Sequence, residues 1–466
     1  MTRYLLAVFV MLFPHFSFAG ELNGATLSLY WGIPFVGILL SIALCPLCLP
    51  NLWHHHFGKI IWVWVLLFVI PFAHHFGLLL LVYTISHSIL EEFIPFILLL
   101  LALFTVSGGI LIKGNLQGTP KLNVTLLAIG TLLASIMGTT GAAMLLIRPL
   151  IRANDQRRHQ VHVVIFFIFL VANIGGGLTP LGDPPLFIGF LKGVDFFWTV
   201  GHMLLPVFIS SAILLILFYA IDSYYYRRED NISVEDPTPT DNRLQLKGKI
   251  NLLLLVAIIG CVLLSGFWQS SLELKVLGAT LSLSNLVRDL LLFAITLISL
   301  CVTSKSIRVE NQFNWEPILE VAKLFVGIFI TIVPVLAILR AGQQGDLASI
   351  TELVTDHHGE PINLMYFWLT GLLSGFLDNA PTYLVFFNLA AGDAGLLMTE
   401  LAKTLLAISM GSVFMGALTY IGNAPNFMIK SIATQHHIVM PGFFGYMKWS
   451  FSILLPVFIL LALIFF

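Results

Sequence analysis

Gly175-Gly176-Gly177-Leu178-Thr179-Pro180-Leu181-Gly182-Asp183-Pro184-Pro185 interrupts a chain that is apolar on both sides, over residues 161–174 and 186–191. Four glycines, three prolines, a threonine and an aspartate cannot continue an α-helix. Proline removes a backbone donor and clashes with the preceding turn, and glycine lowers helix stability. Inside a bilayer, broken backbone survives only where protein or a water-filled cavity covers it. An ionisable residue at such a depth points to function.

The stretch occurs twice. Gly416-Ala417-Leu418-Thr419-Tyr420-Ile421-Gly422-Asn423-Ala424-Pro425-Asn426-Phe427 repeats Gly176 to Phe187, with Gly, Leu, Thr, Gly, Pro and Phe in step 240 residues on. Asn423 stands where the first copy has Asp183. A surface loop has no reason to recur in this way. Paired, Gly/Pro-interrupted apolar segments in two halves of a chain are the sequence mark of a transporter's binding site.

Composition agrees. Of 466 residues, 58% are hydrophobic and only 10% charged, against about 25% charged in soluble domains. Many runs approach the roughly 20 apolar residues that span a bilayer. A formal net charge of −1 argues against nucleic acid as a partner. Cys45 and Cys48 lie in an apolar span with no second pair nearby, so no metal or redox role is read there. Neighbouring His54, His55 and His56 point in different directions on one turn and read as interfacial.

Residues 1–19 have the charge, apolar core and small-x-small end of a cleaved signal peptide, with Ser17-Phe18-Ala19 at the cleavage site. Residues 20–222 form a first transmembrane repeat. Spans are expected over about 31–49, 60–76 and 93–112, with a surface helix over 78–89 and Glu91 and Glu92 at the next boundary. Two half-length apolar arms around Gly138-Thr139-Thr140-Gly141 read either as a re-entrant hairpin over 122–151 or as one kinked span. The hairpin is preferred, and Arg152, Arg157 and Arg158 place its base in the cytoplasm. The broken helix over 161–192 and a full span over 203–221 follow. Residues 223–249, polar and basic, read as a cytoplasmic linker.

Residues 250–466 repeat the plan, with spans over about 250–268, 290–302 and 318–339. A second hairpin over 364–390 turns at Asp378-Asn379-Ala380-Pro381, again 240 residues on from the first tip. A second broken helix over 401–433 and a last span over 450–466 complete it. Each half has five crossings and a hairpin. Five is odd, so the second half is expected to be inverted, with a site near the bilayer midplane. The fold class is therefore all-α and polytopic, built from two inverted repeats, with the mature N-terminus and the C-terminus both periplasmic in a bacterial inner membrane.

Packed in this way, the tips and breaks converge. Thr139, Thr140 and Asn379 lie at the hairpin tips beside Asp378. Thr179, Gly182, Thr419, Gly422 and Asn423 lie in the breaks beside Asp183. Hydroxyl, carbonyl and carboxylate oxygens suit a hard cation such as Na+, whereas half-helix N-termini suit an anion. Two carboxylates favour the cation, and a carboxylate that releases its proton as the cation arrives is an exchanger. The competing structural roles are capping of a half-helix or pairing with Arg148, Lys192 or Arg340. No structural metal or cofactor is expected. The sequence contains no nucleotide-binding loop and no metalloprotease His-Glu-x-x-His, so it reads as a transporter and not an enzyme.

On Trp53–His56, Gly138–Arg152, Asn173–Lys192, Phe376–Asn388 and Gly411–Lys430, the chain resembles the ion transporter superfamily, and within it the citrate-transporter-like bacterial sodium:proton antiporter family. The resemblance implies hairpins that face opposite sides, elevator-like movement of a transport domain and a homodimer. In dicarboxylate symporters of this superfamily both tips carry Ser-Asn-Thr. Here only Asn379 keeps the amide, and Asp378 replaces the serine before it. The expectation is therefore export of Na+ in exchange for H+, with Asp183 and Asp378 as exchange groups. The alternative is H+- or Na+-coupled symport of citrate or another di- or tricarboxylate.

Overall fold

Proline, which pre-sets the backbone of a first helical turn and needs no amide partner there, begins many of the long helices. In the computed structural model, residues 22–114, 116–229, 245–268, 270, 272–277 and 279–466 are described. The expected signal peptide over 1–19 and the middle of the expected linker over 223–249 lie outside them. Helix α1 (Ile33–Cys48) is followed by α2 (Pro50–Phe76). The latter starts ten residues before the expected span, so His55 is helical and its Nδ1 lies 2.9 Å from the Asn51 carbonyl oxygen.

Helix α3 (Leu78–His87) does not end as a surface helix. It passes through one π-helical turn, Ser88–Phe93, into α4 (Ile94–Ser107). Pro95 removes a donor near the head of α4, and widening of the preceding turn accommodates that loss. Glu91 and Glu92 do not mark a boundary because each has a partner. Glu91 accepts from the Thr280 amide at 2.8 Å, and the buried Glu92 pairs with Lys192. The third crossing of the second half breaks similarly. Helix α12 (Glu316–Thr331) and helix α13 (Val333–Arg340) meet at 44°, with Pro334 in the first turn after the bend.

Between these lie the remaining elements: α5 (Pro120–Met137), α6 (Thr139–Ala153), α7 (Val161–Leu170), α8 (Pro184–Leu191), α9 (Phe196–Arg228), α10 (Ile250–Phe267) and α11 (Leu283–Val302). After α13 come α14 (Asn363–Leu377), α15 (Asn379–Ala390), α16 (Ala402–Phe414), α17 (Ala424–Gln435) and α18 (Phe443–Phe465). The linker is shorter than expected. Helix α9 runs on to Arg228, and β2 (Gln245–Lys247) pairs antiparallel with β1 (Leu111–Lys113).

Nine helices among the described residues are long and apolar enough to cross a membrane, ten if the bent pair counts as one span. The protein is an all-α polytopic membrane protein. Helices α5 and α6 pack together about Gly138, and α14 and α15 about Asp378. The span over 161–178 is 89% buried, against 22% for 55–76 and 28% for 250–267. The interrupted segments therefore occupy the centre, and the uninterrupted helices form the rim.

The base of the first helix pair is held by a buried polar cluster. Arg157 Nη1 lies 2.6 Å from Asp222 Oδ1, and Arg157 Nε 3.1 Å from Glu229 Oε2. His162 Nε2 lies 2.8 Å from Asp222 Oδ1, and Asn123 Nδ2 donates to Asp222 Oδ2 at 2.9 Å. This ties α5, the loop after α6, α7 and α9 into one unit.

Candidate functional site

Each break is built by the same local chemistry. In the first, Thr179 Oγ1 donates to the Ser135 carbonyl at 2.5 Å and accepts from the Leu181 amide at 3.2 Å. In the second, Thr419 Oγ1 donates to the Gly375 carbonyl at 2.5 Å and accepts from the Ile421 amide at 3.2 Å. Ser135 and Gly375, like the two threonines, stand 240 residues apart. Thr419 Oγ1 also accepts from the Gly422 amide at 3.1 Å, which fills its capacity for hydrogen bonds. The threonine hydroxyls thus fasten each break to the adjoining α5 or α14.

Gly182 and Gly422 are required by close approach. A Cβ on Gly182 would meet the Gly176 carbonyl oxygen at 2.2 Å, and one on Gly422 would meet that of Gly416 at 2.6 Å. Gly182 also accepts, through its carbonyl, the Thr139 amide at 2.9 Å, which docks the head of α6 on the first break.

Asp183 and Asn423 are the N-cap residues of α8 and α17, yet neither side chain caps its helix. Asp183 Oδ1 accepts from Thr139 Oγ1 and from Asn423 Nδ2, each at 3.2 Å. Asp183 Oδ2 accepts from Asn379 Nδ2 at 2.5 Å. Thr139 and Asn379 are themselves 240 residues apart, so equivalent positions of the two hairpin tips hold the two oxygens of one carboxylate. The third donor is Asp183's own counterpart in the second half. All four residues are buried.

Asn379 Oδ1 is buried with no hydrogen-bond partner among the described residues. A buried acceptor without a donor is costly, and this one belongs to the amide that holds Asp183. The salt bridges of the described residues leave Asp183 and Asp378 without a cationic partner. Lys192 is taken by Glu92, and Arg340 Nε donates to Asn388 Oδ1 at 2.7 Å.

Asp378 is placed differently from Asp183. It is buried at the head of α15, and its Oδ1 accepts from the Ala380 amide at 3.4 Å, a capping contact. Its chain neighbour Asn379 brings it beside the Asp183 cluster. Thr140 follows Thr139 at the first tip and is partly exposed.

Two residues that the repeat could not flag complete the centre. Asn173 Nδ2 donates to Asn426 Oδ1 at 2.7 Å, and Asn423 Nδ2 approaches Asn173 Oδ1 at 3.3 Å. Asn426 Nδ2 donates in turn to the carbonyls of Gly416 and Thr419, each at 2.9 Å. A chain of amides thus binds the two breaks across the middle of the protein.

The family model described as "putative citrate transport" matches residues 24–466. The chain belongs to that family, a family of membrane transporters. No curated protein matches it.

Proposed function

We propose that this family member is a secondary transporter that exports Na+ in exchange for H+ through alternating access. The observation that carries the reading is the Asp183 carboxylate, held by Thr139, Asn379 and Asn423, beside the unpartnered Asn379 Oδ1. Asp183 binds a proton or a cation, and Asn379 Oδ1 supplies a neutral oxygen that only a cation or a donor satisfies. Thr140, the Gly182 carbonyl and Asp378 stand close enough in the chain to complete the oxygen shell that a hard cation takes. Thr179 and Thr419 hold the breaks in shape. Asp378 tunes the charge of the pocket and takes part in the exchange from the head of α15. Movement of the central helices against the rim exposes the site to each side in turn, and the two uncapped half-helices α8 and α17 travel with it.

A second reading is favoured by the family description: symport of citrate or a related carboxylate with Na+ or H+. It uses the same cation site. The two readings separate in one titration of purified protein in weakly buffered detergent solution. Exchange predicts that Na+ binding releases protons with no carboxylate present, and that Asn379→Ala weakens both. Na+ binding that needs citrate and releases no proton contradicts the exchange reading.

A further inference from the structure

Arg148 lies on α6, nine residues past Thr139, or about 13 Å along the helix axis. Its Nε and Nη1 are both buried, and neither has a hydrogen-bond partner among the described residues. No carboxylate is paired with it in the salt bridges of those residues. The residue as a whole is only partly buried, so these two nitrogens lie on the enclosed side of a guanidinium that also reaches the surface, and buried donors left unmet are costly until an acceptor meets them.

The surroundings are basic. Helix α6 packs against α17, and Met144, one turn before Arg148, shares a cluster of Phe104 and Ile318 with Met428 of α17. At the end of α17, partial burial and the charges of Arg148, Arg152 and His437 hold the His436 imidazole below its usual range. Arg152 is exposed and donates to the Ile112 carbonyl at 3.4 Å. The nearby Glu310 is engaged by Lys113 at 2.6 Å. An excess of basic residues on one face alone follows from membrane topology. Two enclosed, unmet guanidinium nitrogens do not, because topology is satisfied by solvated side chains.

We propose that Arg148, with Arg152 and His436 at its mouth, forms an oxyanion subsite that takes a carboxylate or phosphate group at the seam between α6 and α17. The planar guanidinium matches such groups through paired hydrogen bonds. The subsite is separate from the Asp183 cluster. The group is supplied either by a free polycarboxylate or by the headgroup of an anionic phospholipid.

The test is thermal unfolding of the full-length protein. Wild type, Arg148→Gln and Arg148→Lys are measured with citrate, with chloride at matched ionic strength, and in nanodiscs of phosphatidylglycerol against phosphatidylcholine. Citrate is expected to raise the wild-type midpoint above the chloride control. Arg148→Gln is expected to fold, to lose the shift, and to unfold no earlier than wild type without citrate. Arg148→Lys keeps the charge without the fork and is expected to show a smaller shift. A shift produced by phosphatidylglycerol and not by citrate, and lost in Arg148→Gln, supports the subsite and assigns it to lipid. No shift from either anion in wild type overturns the proposal, as does the full wild-type shift in either variant. Asn379→Ala separates the two sites. It is expected to retain the citrate shift, and loss of the shift there with retention in Arg148→Gln places citrate at the central site instead.

Discussion

Asp378, at the head of α15, holds the backbone conformation that Gly138 holds at the head of α6. Its φ and ψ are 90° and 141°, against 78° and 150° for the glycine 240 residues earlier. Glycine adopts this region freely, and an L-residue does so at a cost of order 1–3 kcal/mol. The first half uses glycine at this turn, and the second carries a carboxylate there against the local preference. Such strain persists where the side chain is needed and the surroundings enforce it.

Asp378→Gly is therefore expected to stabilise the protein by about 1 kcal/mol while impairing transport. Asp378→Asn keeps the side-chain acceptor and the strained turn but removes the charge, so it separates conformation from ionisation. Thermal unfolding and vesicle transport on both variants check this. A glycine variant that transports as wild type would show that the carboxylate is dispensable.

Asn379 and Thr139 hold opposite oxygens of Asp183, at 2.5 and 3.2 Å. Asn379→Ala removes the shorter bond and the unpartnered carbonyl together. It is expected to raise the Na+ concentration for half-maximal transport by about tenfold or more, the equivalent of about 1.4 kcal/mol. Thr139→Val removes one longer bond and is expected to do less. Equal effects, or none, would contradict the central role given to Asn379.

Thr179 and Thr419 are expected to behave as fasteners. Their hydroxyls bridge a carbonyl at 2.5 Å and an amide at 3.2 Å in both halves. Valine at either position leaves buried groups unmet, so a loss of stability of about 1–3 kcal/mol is expected. Na+ affinity of the folded fraction should be unchanged. A selective loss of affinity at normal stability would make these threonines ligands.

Gly182→Ala is expected to abolish folding, because its Cβ would lie 2.2 Å from a backbone oxygen that cannot turn away. Gly201→Ala, where nothing lies within 4 Å, serves as the control and is expected to express normally. Yield and monodispersity on size exclusion report both.

The base of the first hairpin should be equally sensitive. Arg157→Met leaves Asp222, which is fully buried, without its guanidinium. Removing one partner of a buried pair costs about 3–5 kcal/mol. The double variant Arg157→Met, Asp222→Leu is expected to recover part of that loss, measured by thermal unfolding.

The breaks and tips were legible because glycine and proline forbid a continuous helix and because the 240-residue recurrence is easy to see. The same recurrence hid Asn173 and Asn426. Their counterparts are Val413 and Leu186, so no repeat marks them, and only the crossing of the two breaks in space makes them neighbours. The run of helix over 78–107 is hidden in the sequence because Glu91 and Glu92 look like a boundary in a bilayer. Their partners, Thr280 and Lys192, lie far away in sequence. Thr179 and Thr419 read as ligands by residue type, and type alone does not reveal that each hydroxyl also donates to a carbonyl and accepts from an amide that shape the break.

The most direct measurement of the central claim uses proteoliposomes with a trapped pH-sensitive dye and an imposed Na+ gradient. The account predicts a Na+-driven pH change with wild type and its loss in Asp183→Asn, which keeps the shape of the side chain but replaces one of its two accepting oxygens with a donating amide and cannot exchange a proton for a cation. A wild type without pH response to Na+, Li+ or K+ near and above neutral pH would contradict the account, as would an Asp183→Asn protein that exchanges at the wild-type rate.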